Sequence, residues 1–145
     1  MKINIKKLTP NAQLPVYGSE FSAGADLKAC LEEPAVIAAG ETVLIHTGLA
    51  MEIPEGFGGF IYARSGLASK KGLAPANKVG VIDSDYRGEI MVALHNHSKE
   101  DRIIEHGERI AQIVIAPFIF AEWNETDELE DTARGAGGFG STGTR

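Results

Sequence analysis

Isoleucine and valine recur at alternate positions in several short stretches of this chain. Ile3 and Ile5, and later Ile90, Val92 and Leu94, mark single faces of a period-two pattern. Longer runs rich in β-branched residues, ETVLIHTGLAMEI, GGFIYAR and RIAQIVIAPFIF, lie between scattered glycines and prolines. Many short strands separated by turn signals predict an all-β fold, a sandwich or a barrel. Helical periodicity is scarce. Residues 65–71 (SGLASKK), closed by Gly72, predict one short helix of about two turns. Beyond Phe120 the alternation stops. Residues 121–131 (AEWNETDELED) read as an acidic linker, and residues 132–145 (TARGAGGFGSTGTR) as a flexible Gly-rich tail.

Composition refines this picture at few points. A chain of 145 residues suits one domain, here a body over residues 1–120 followed by linker and tail. Hydrophobic residues at 43% and charged residues at 23% exclude wholesale disorder. The formal charge of −6 argues against broad nucleic-acid binding. Six of the 20 acidic residues fall within residues 121–131, which leaves the rest of the chain neutral. The lone Cys30 can form no internal disulfide, which fits a reducing compartment. The basic start has no apolar signal core behind it, and the longest apolar run, residues 110–121, is too short for a membrane span. A soluble, cytoplasmic protein is expected, with no membrane partner.

Five segments carry candidate chemistry, each with a plainer alternative. In AGADL (residues 23–27), Asp26 can serve metal-bound water or cap a turn. In ARSGLA (residues 63–68), Arg64, Ser65 and free N–H groups at a helix start make an anion site. A plain Ser N-cap is the commoner explanation. In GVIDSDYRGE (residues 80–89), Asp83 reads as a partly buried carboxylate able to activate water, with Tyr86 as a sugar-packing ring. The alternative is a β-hairpin whose Asp83, Ser84 and Asp85 only make the turn. In GERIAQI (residues 107–113), Gln112 interrupts an apolar run and either faces solvent by alternation or points into a site. In the tail, Arg134 offers a phosphate fork, Phe139 a stacking face, and Ser141 and Thr142 hydroxyls, among glycines that admit close phosphate approach. His95 and His97, two apart on a strand, fit an exposed face better than a metal pair. His46 and His106 suggest no role.

In this order and spacing, AGADL, ARSGLA, GVIDSDYRGE, GERIAQI and RGAGGFGSTG closely resemble the five motifs of the trimeric dUTPase family, the deoxyuridine triphosphate nucleotidohydrolases. The resemblance implies a jelly-roll-like β-barrel, a homotrimer with active sites shared between subunits, and Mg²⁺-assisted hydrolysis of dUTP to dUMP and pyrophosphate. Such an activity limits uracil incorporation into DNA and supplies dUMP for dTMP synthesis. It implies that Asp83 activates the water attacking the α-phosphate, and that Tyr86 packs under the deoxyribose. The backbone from Asn77 through Gly80, Val81 and Ile82 to Asp83, taken as a hairpin, would read the uracil edge. Ser65 and Gly66, supported by Arg64, and Gln112 would contact phosphates. Asp26 would act on the metal indirectly, through water. The tail would close over the nucleotide, Phe139 over the uracil and Arg134, Ser141 and Thr142 on the γ-phosphate, with Gly140 also binding substrate. Ala25 and Ala63 stand where the family often has a bulky residue and a proline. Both departures concern local packing.

Two rivals carry different consequences. A dCTP deaminase of the same superfamily would not need the Gly-rich tail or the Asp-x-x-Tyr segment. A non-catalytic nucleotide-binding protein would not need the full polar set.

Overall fold

A computed structural model of the chain describes residues 1–138. Among them run twelve strands: β1 (Asn4–Lys7), β2 (Val16–Tyr17), β3 (Ala25–Lys28), β4 (Ala35–Ile37), β5 (Thr42–His46), β6 (Leu49–Glu52), β7 (Phe57–Tyr62), β8 (Leu73–Pro75), β9 (Gly80–Ile82), β10 (Met91–Asn96), β11 (Arg102–Ile104) and β12 (Arg109–Pro117). All pairing is antiparallel. A five-stranded sheet has the order β2-β3-β12-β7-β9, and a three-stranded sheet the order β5-β10-β8. Two ribbons, β1-β6 and β11-β4, complete the body. Most neighbours in the ladders are not consecutive in sequence, as in a jelly roll. The expected all-β, jelly-roll-like class is what folds. Among the described residues the hydrogen-bonded ladder is divided into these four sheets and does not run continuously round a barrel.

The alternation seen in the sequence selects the core. In β10, Val92, Leu94 and Asn96 point inward while Met91, Ala93 and His95 are partly exposed. In β3, Ala25 and Leu27 are buried while Asp26 and Lys28 face outward. Ile37, Ile45, Leu49, Leu73, Ile90, Ile104 and Ile110 are fully buried with them, in one cluster shared by all four sheets. Each such side chain contributes about 1.5–3 kcal/mol by leaving water.

The short helix runs over residues 65–71 as expected and is closed by Gly72 in the left-handed region (φ 68°), but after two α-helical residues Leu67–Lys71 is wound as a wide π turn. Its buried residue is Leu67, so one apolar anchor holds it. The segment around Asp83 departs from expectation: it is no β-hairpin. β9 pairs with β7, whereas β8 and β10 pair with each other in the other sheet. Residues 76–79 and 83–90 are crossings between sheets. Their turn-forming residues were legible in the sequence, but partner choice follows from which faces need covering. After β12 ends at Pro117, residues 118–136 contain no strand, and those after Pro117 are exposed. No helix among the described residues is long and apolar enough to cross a membrane.

Asn96 is the buried polar group on which one corner of the fold turns. Its side-chain amide donates to the carbonyls of Ile37 (2.9 Å) and Glu100 (2.8 Å), and its Oδ1 accepts from Ser98 N–H (3.0 Å) and Ser98 Oγ (2.7 Å). It thereby ties β4 and the turn after β10 to the three-stranded sheet. Asn96→Ala removes the side-chain partner of the Ile37 carbonyl and of the Ser98 N–H, while the Glu100 carbonyl keeps Ser98 Oγ (3.0 Å), so a loss of about 2–3 kcal/mol is expected in denaturant unfolding.

Candidate active site

β12 is the strand on which the site is organised, because it pairs with both β3 and β7. Against β3 its register shifts between Arg109, opposite Lys28, and Ala111, opposite Leu27. The extra residue is a β-bulge, which reverses the alternation locally. Ile110 and Ala111 therefore both enter the core, each with no exposed surface. Arg109 and Gln112 consequently share the outer face with Asp26, which lies directly opposite Gln112.

Asp26 is the centre of that face. Its side chain is 13% exposed, and Oδ1 accepts from Arg64 Nε at 2.6 Å while Oδ2 accepts from Arg109 Nη1 at 3.3 Å. Gln112 donates its amide to the Ala63 carbonyl at 2.9 Å, which ties the end of β7 to β12. Gly24 makes room for it: a Cβ there would stand 2.5 Å from Gln112 Oε1 and 3.1 Å from Cδ. Ser65 and Gly66 follow, exposed, at the helix start. No side chain caps this helix, and the N-cap position is Gly66. Ser65 is therefore not the N-cap that the plainer reading supposed, and only its carbonyl is engaged, by Ser69 Oγ at 2.7 Å. The cleft so formed, roughly 650 Å³, is lined by Asp26, Tyr62, Arg64, Ser65, Arg109 and Gln112. Lys28, Lys70 and Lys71 line the adjoining groove. The region is locally cationic within an acidic chain, and it suits phosphate oxygens.

Asp83 and Tyr86 lie elsewhere. β9 is the last strand of its sheet, so one side of its backbone is without a strand partner. Gly80 is buried beside Ile61, Val81 is exposed, Ile82 is half-buried, and Asn77 lies exposed in the preceding turn. Asp83 leaves the end of this edge strand and is exposed, not partly buried as the catalytic reading of the segment supposed. The reason is its place at the sheet edge, where no strand among the described residues covers it. A cleft of roughly 900 Å³ beside it is lined by Asp83, Ser84, Asp85, Arg87, Phe118 and Phe120 among others. Ile82 sits opposite Gly59, so Asp83 is level with the start of β7, whereas Arg64 and Ser65 follow its end. At a rise of about 3.3 Å per residue the two groups are roughly 20 Å apart.

The remaining candidates separate similarly. Arg134 is exposed, bonds within its own segment to the Gly137 carbonyl (2.9 Å), and lines neither cleft. Phe139, Gly140, Ser141 and Thr142 lie outside the described residues. His95 and His97 pack edge to face at 4.3 Å. The His97 imidazole is held below its ordinary pKa, by desolvation first and then by His95 and Lys78. No group of three potential metal ligands occurs among the described residues. Arg109 went unnoticed in the sequence. Its signal was the doublet Ile110-Ala111 between two polar residues, which breaks strict alternation and marks a bulge.

Residues 10–143 match the profile of one family, described as dUTPase. The chain belongs to the dUTPase family. It is 54% identical over 132 residues to the deoxyuridine 5'-triphosphate nucleotidohydrolase of Desulfitobacterium hafniense, covering 90% of this chain and 87% of that protein. The enzyme of the same name from Rickettsia bellii is 52% identical over 143 residues, 98% of this chain and 95% of that one. Among solved structures, the dUTPase of Staphylococcus bacteriophage 80alpha with dUpNHpp superposes with a TM-score of 0.86 at 31% identity, covering 99% of both chains.

Within this dUTPase-family cleft, Gly24→Ala should push the Gln112 side chain off the Ala63 carbonyl. Denaturant unfolding should show a loss of about 1 kcal/mol, the worth of one neutral hydrogen bond.

Proposed function

We propose that this chain hydrolyses dUTP to dUMP and pyrophosphate, with the triphosphate in the cleft around Asp26. The observation that carries this reading is the convergence of Arg64, Ser65, Arg109 and Gln112 on that one cleft in a member of the dUTPase family. Arg64 and Arg109 offset the phosphate charge, and the Ser65 hydroxyl and the Gln112 amide orient it. The uracil lies along the unpaired backbone edge of β9, near Asn77 and Gly80 to Ile82. Hydrogen bonds to its Watson–Crick edge reject cytosine by leaving polar groups unpaired. Tyr86 packs against the deoxyribose.

Asp83 orients a water for attack on the α-phosphorus and takes its proton as the new P–O bond forms. The bond from the α-phosphorus to the bridging oxygen breaks, and its electron pair leaves with pyrophosphate. Both oxygens of Asp26 are engaged by arginines, so its donor set fits Mg²⁺ only at one remove, through water. Mg²⁺, held mainly by the triphosphate, supplies charge neutralisation when bound. The tail, with Arg134, Phe139, Gly140, Ser141 and Thr142, closes over the nucleotide.

A homotrimer with shared sites follows from the same reading. One nucleotide cannot reach groups roughly 20 Å apart on one chain while its α-phosphate sits at both. A neighbouring copy presenting its Asp83 and Tyr86 to this chain's cleft resolves that separation. Ile119, Phe120 and Trp123, each more than 90% exposed in the isolated chain, are consistent with contacts to other copies.

Asp83→Asn should lower kcat for dUTP by about a hundredfold or more, read as pyrophosphate release with Mg²⁺ present. Mixed and reassembled with Ser65→Ala, it should recover part of the activity that neither variant has alone; no recovery would contradict shared sites. A chain ending at residue 131 should keep the native oligomer mass while losing most turnover. Full activity in that truncation would contradict the closing role of the tail.

A further inference from the structure

The segment 83–88 carries Asp83 and Tyr86 across the gap between two sheets, and few bonds hold it. Arg87 donates to the carbonyls of Ser84 (2.6 Å) and Tyr86 (3.1 Å), and Tyr86 N–H donates to the Asp83 carbonyl (3.2 Å). All three bonds are internal to the segment. The Arg87 pair with Glu52, at 3.9 Å between two exposed side chains, adds little.

Glu89 supplies the outside anchor. Its Oε1 accepts from the Gly48 N–H at 2.7 Å, and its Oε2 meets His46 Nδ1 at 2.9 Å. Its backbone carbonyl accepts from the Tyr86 hydroxyl at 2.9 Å. The same residue thus grips the turn between β5 and β6 with its side chain and the tip of the Tyr86 ring with its main chain. That turn does not yield. Gly48 is buried in the left-handed region (φ 67°), and a Cβ there would stand 2.8 Å from Ala12 Cβ and 3.0 Å from Cys30 Sγ. Its carbonyl accepts from Leu8 N–H at 2.7 Å. Next along the chain, Ile90 is held by Thr47 Oγ1 on its carbonyl and by the Leu49 carbonyl on its N–H.

We infer that Glu89 is a positioning residue for sugar selection: by clamping the 83–88 segment to Gly48 and His46 it sets where the Tyr86 ring stands. This rests on the reading that Tyr86 packs against the deoxyribose. A ring that shifts by about an ångström no longer fits closely enough against C2′ to reject a 2′-hydroxyl. Asp83 moves with it, so discrimination and turnover both respond.

The test compares kcat and KM for dUTP and UTP in the full-length protein with Mg²⁺. In Glu89→Ala, the ratio of kcat/KM for dUTP to that for UTP should fall by roughly tenfold or more, with KM for dUTP raised. Glu89→Gln keeps an acceptor for Gly48 N–H and a group able to meet His46, so it should hold the ratio within about threefold of the parent. Should Glu89→Ala fail to fold, His46→Ala removes one of the two side-chain anchors at an exposed site, and a smaller fall of the same sign is expected. The inference is overturned if the ratio stays within about twofold of the parent in every folded variant. It is equally overturned if Gln lowers the ratio as much as Ala. A parent protein that releases no pyrophosphate from dUTP would instead refute the proposed function. A parent that prefers dUTP while the variants keep that preference refutes the role of Glu89 alone.

Discussion

One irregularity in one strand governs the site. β12 is the central strand of the largest sheet, flanked by β3 and β7, and its bulge between Arg109 and Ala111 changes which side chains face out. Without the extra residue, Arg109 and Gln112 would lie on opposite faces, since they are an odd number of positions apart. With it, Ile110 and Ala111 fill the core together, and Arg109 reaches Asp26. The cationic cleft depends on this change of phase. Burying two adjacent apolar residues also offsets the ladder bond that the bulge disrupts.

The second organising fact is the length of β7. Six residues, Phe57–Tyr62, separate the ground beside Asp83 from the residues that carry Arg64 and Ser65. Antiparallel pairing with β9 sets the two groups at opposite ends, which under the proposed reading makes them parts of different sites. Asp83 is open to solvent here because it leaves an edge strand. A catalytic carboxylate would gain strength from exclusion of water, and covering by another copy supplies that under the proposed reading. The acidic linker has the charge to remain solvated between body and tail, yet it carries Trp123 and Leu129 almost fully exposed.

Much of this was legible beforehand, for identifiable reasons. Period two in Ile90, Val92 and Leu94 marked an inward face because burial of a sheet face needs nothing else. Gly72 marked the end of the helix because glycine enters the left-handed region without strain. Asp26, Arg64, Ser65 and Gln112 were singled out separately and meet in one cleft. The failures are equally specific. The segment around Asp83 has the composition of a hairpin turn, but turn chemistry is local and the choice of partner strand is not. Ser65 has the residue type of an N-cap, but it lies within the helical run and no side chain caps the turn.

Residue order by itself determined the all-β class, the faces of most strands and the identity of the dUTPase-family motifs. These depend on alternation, turn preference and residue type, which are properties of neighbours in the chain. Tertiary structure alone decided that Arg109 joins Asp26, that Asp83 stands roughly 20 Å from Ser65 along β7, and that Glu89 holds the Tyr86 segment to Gly48. The two contacts join residues 83 and 41 positions apart and the separation follows from the pairing of β7 with β9, and such pairings are set by which sheets must cover one core.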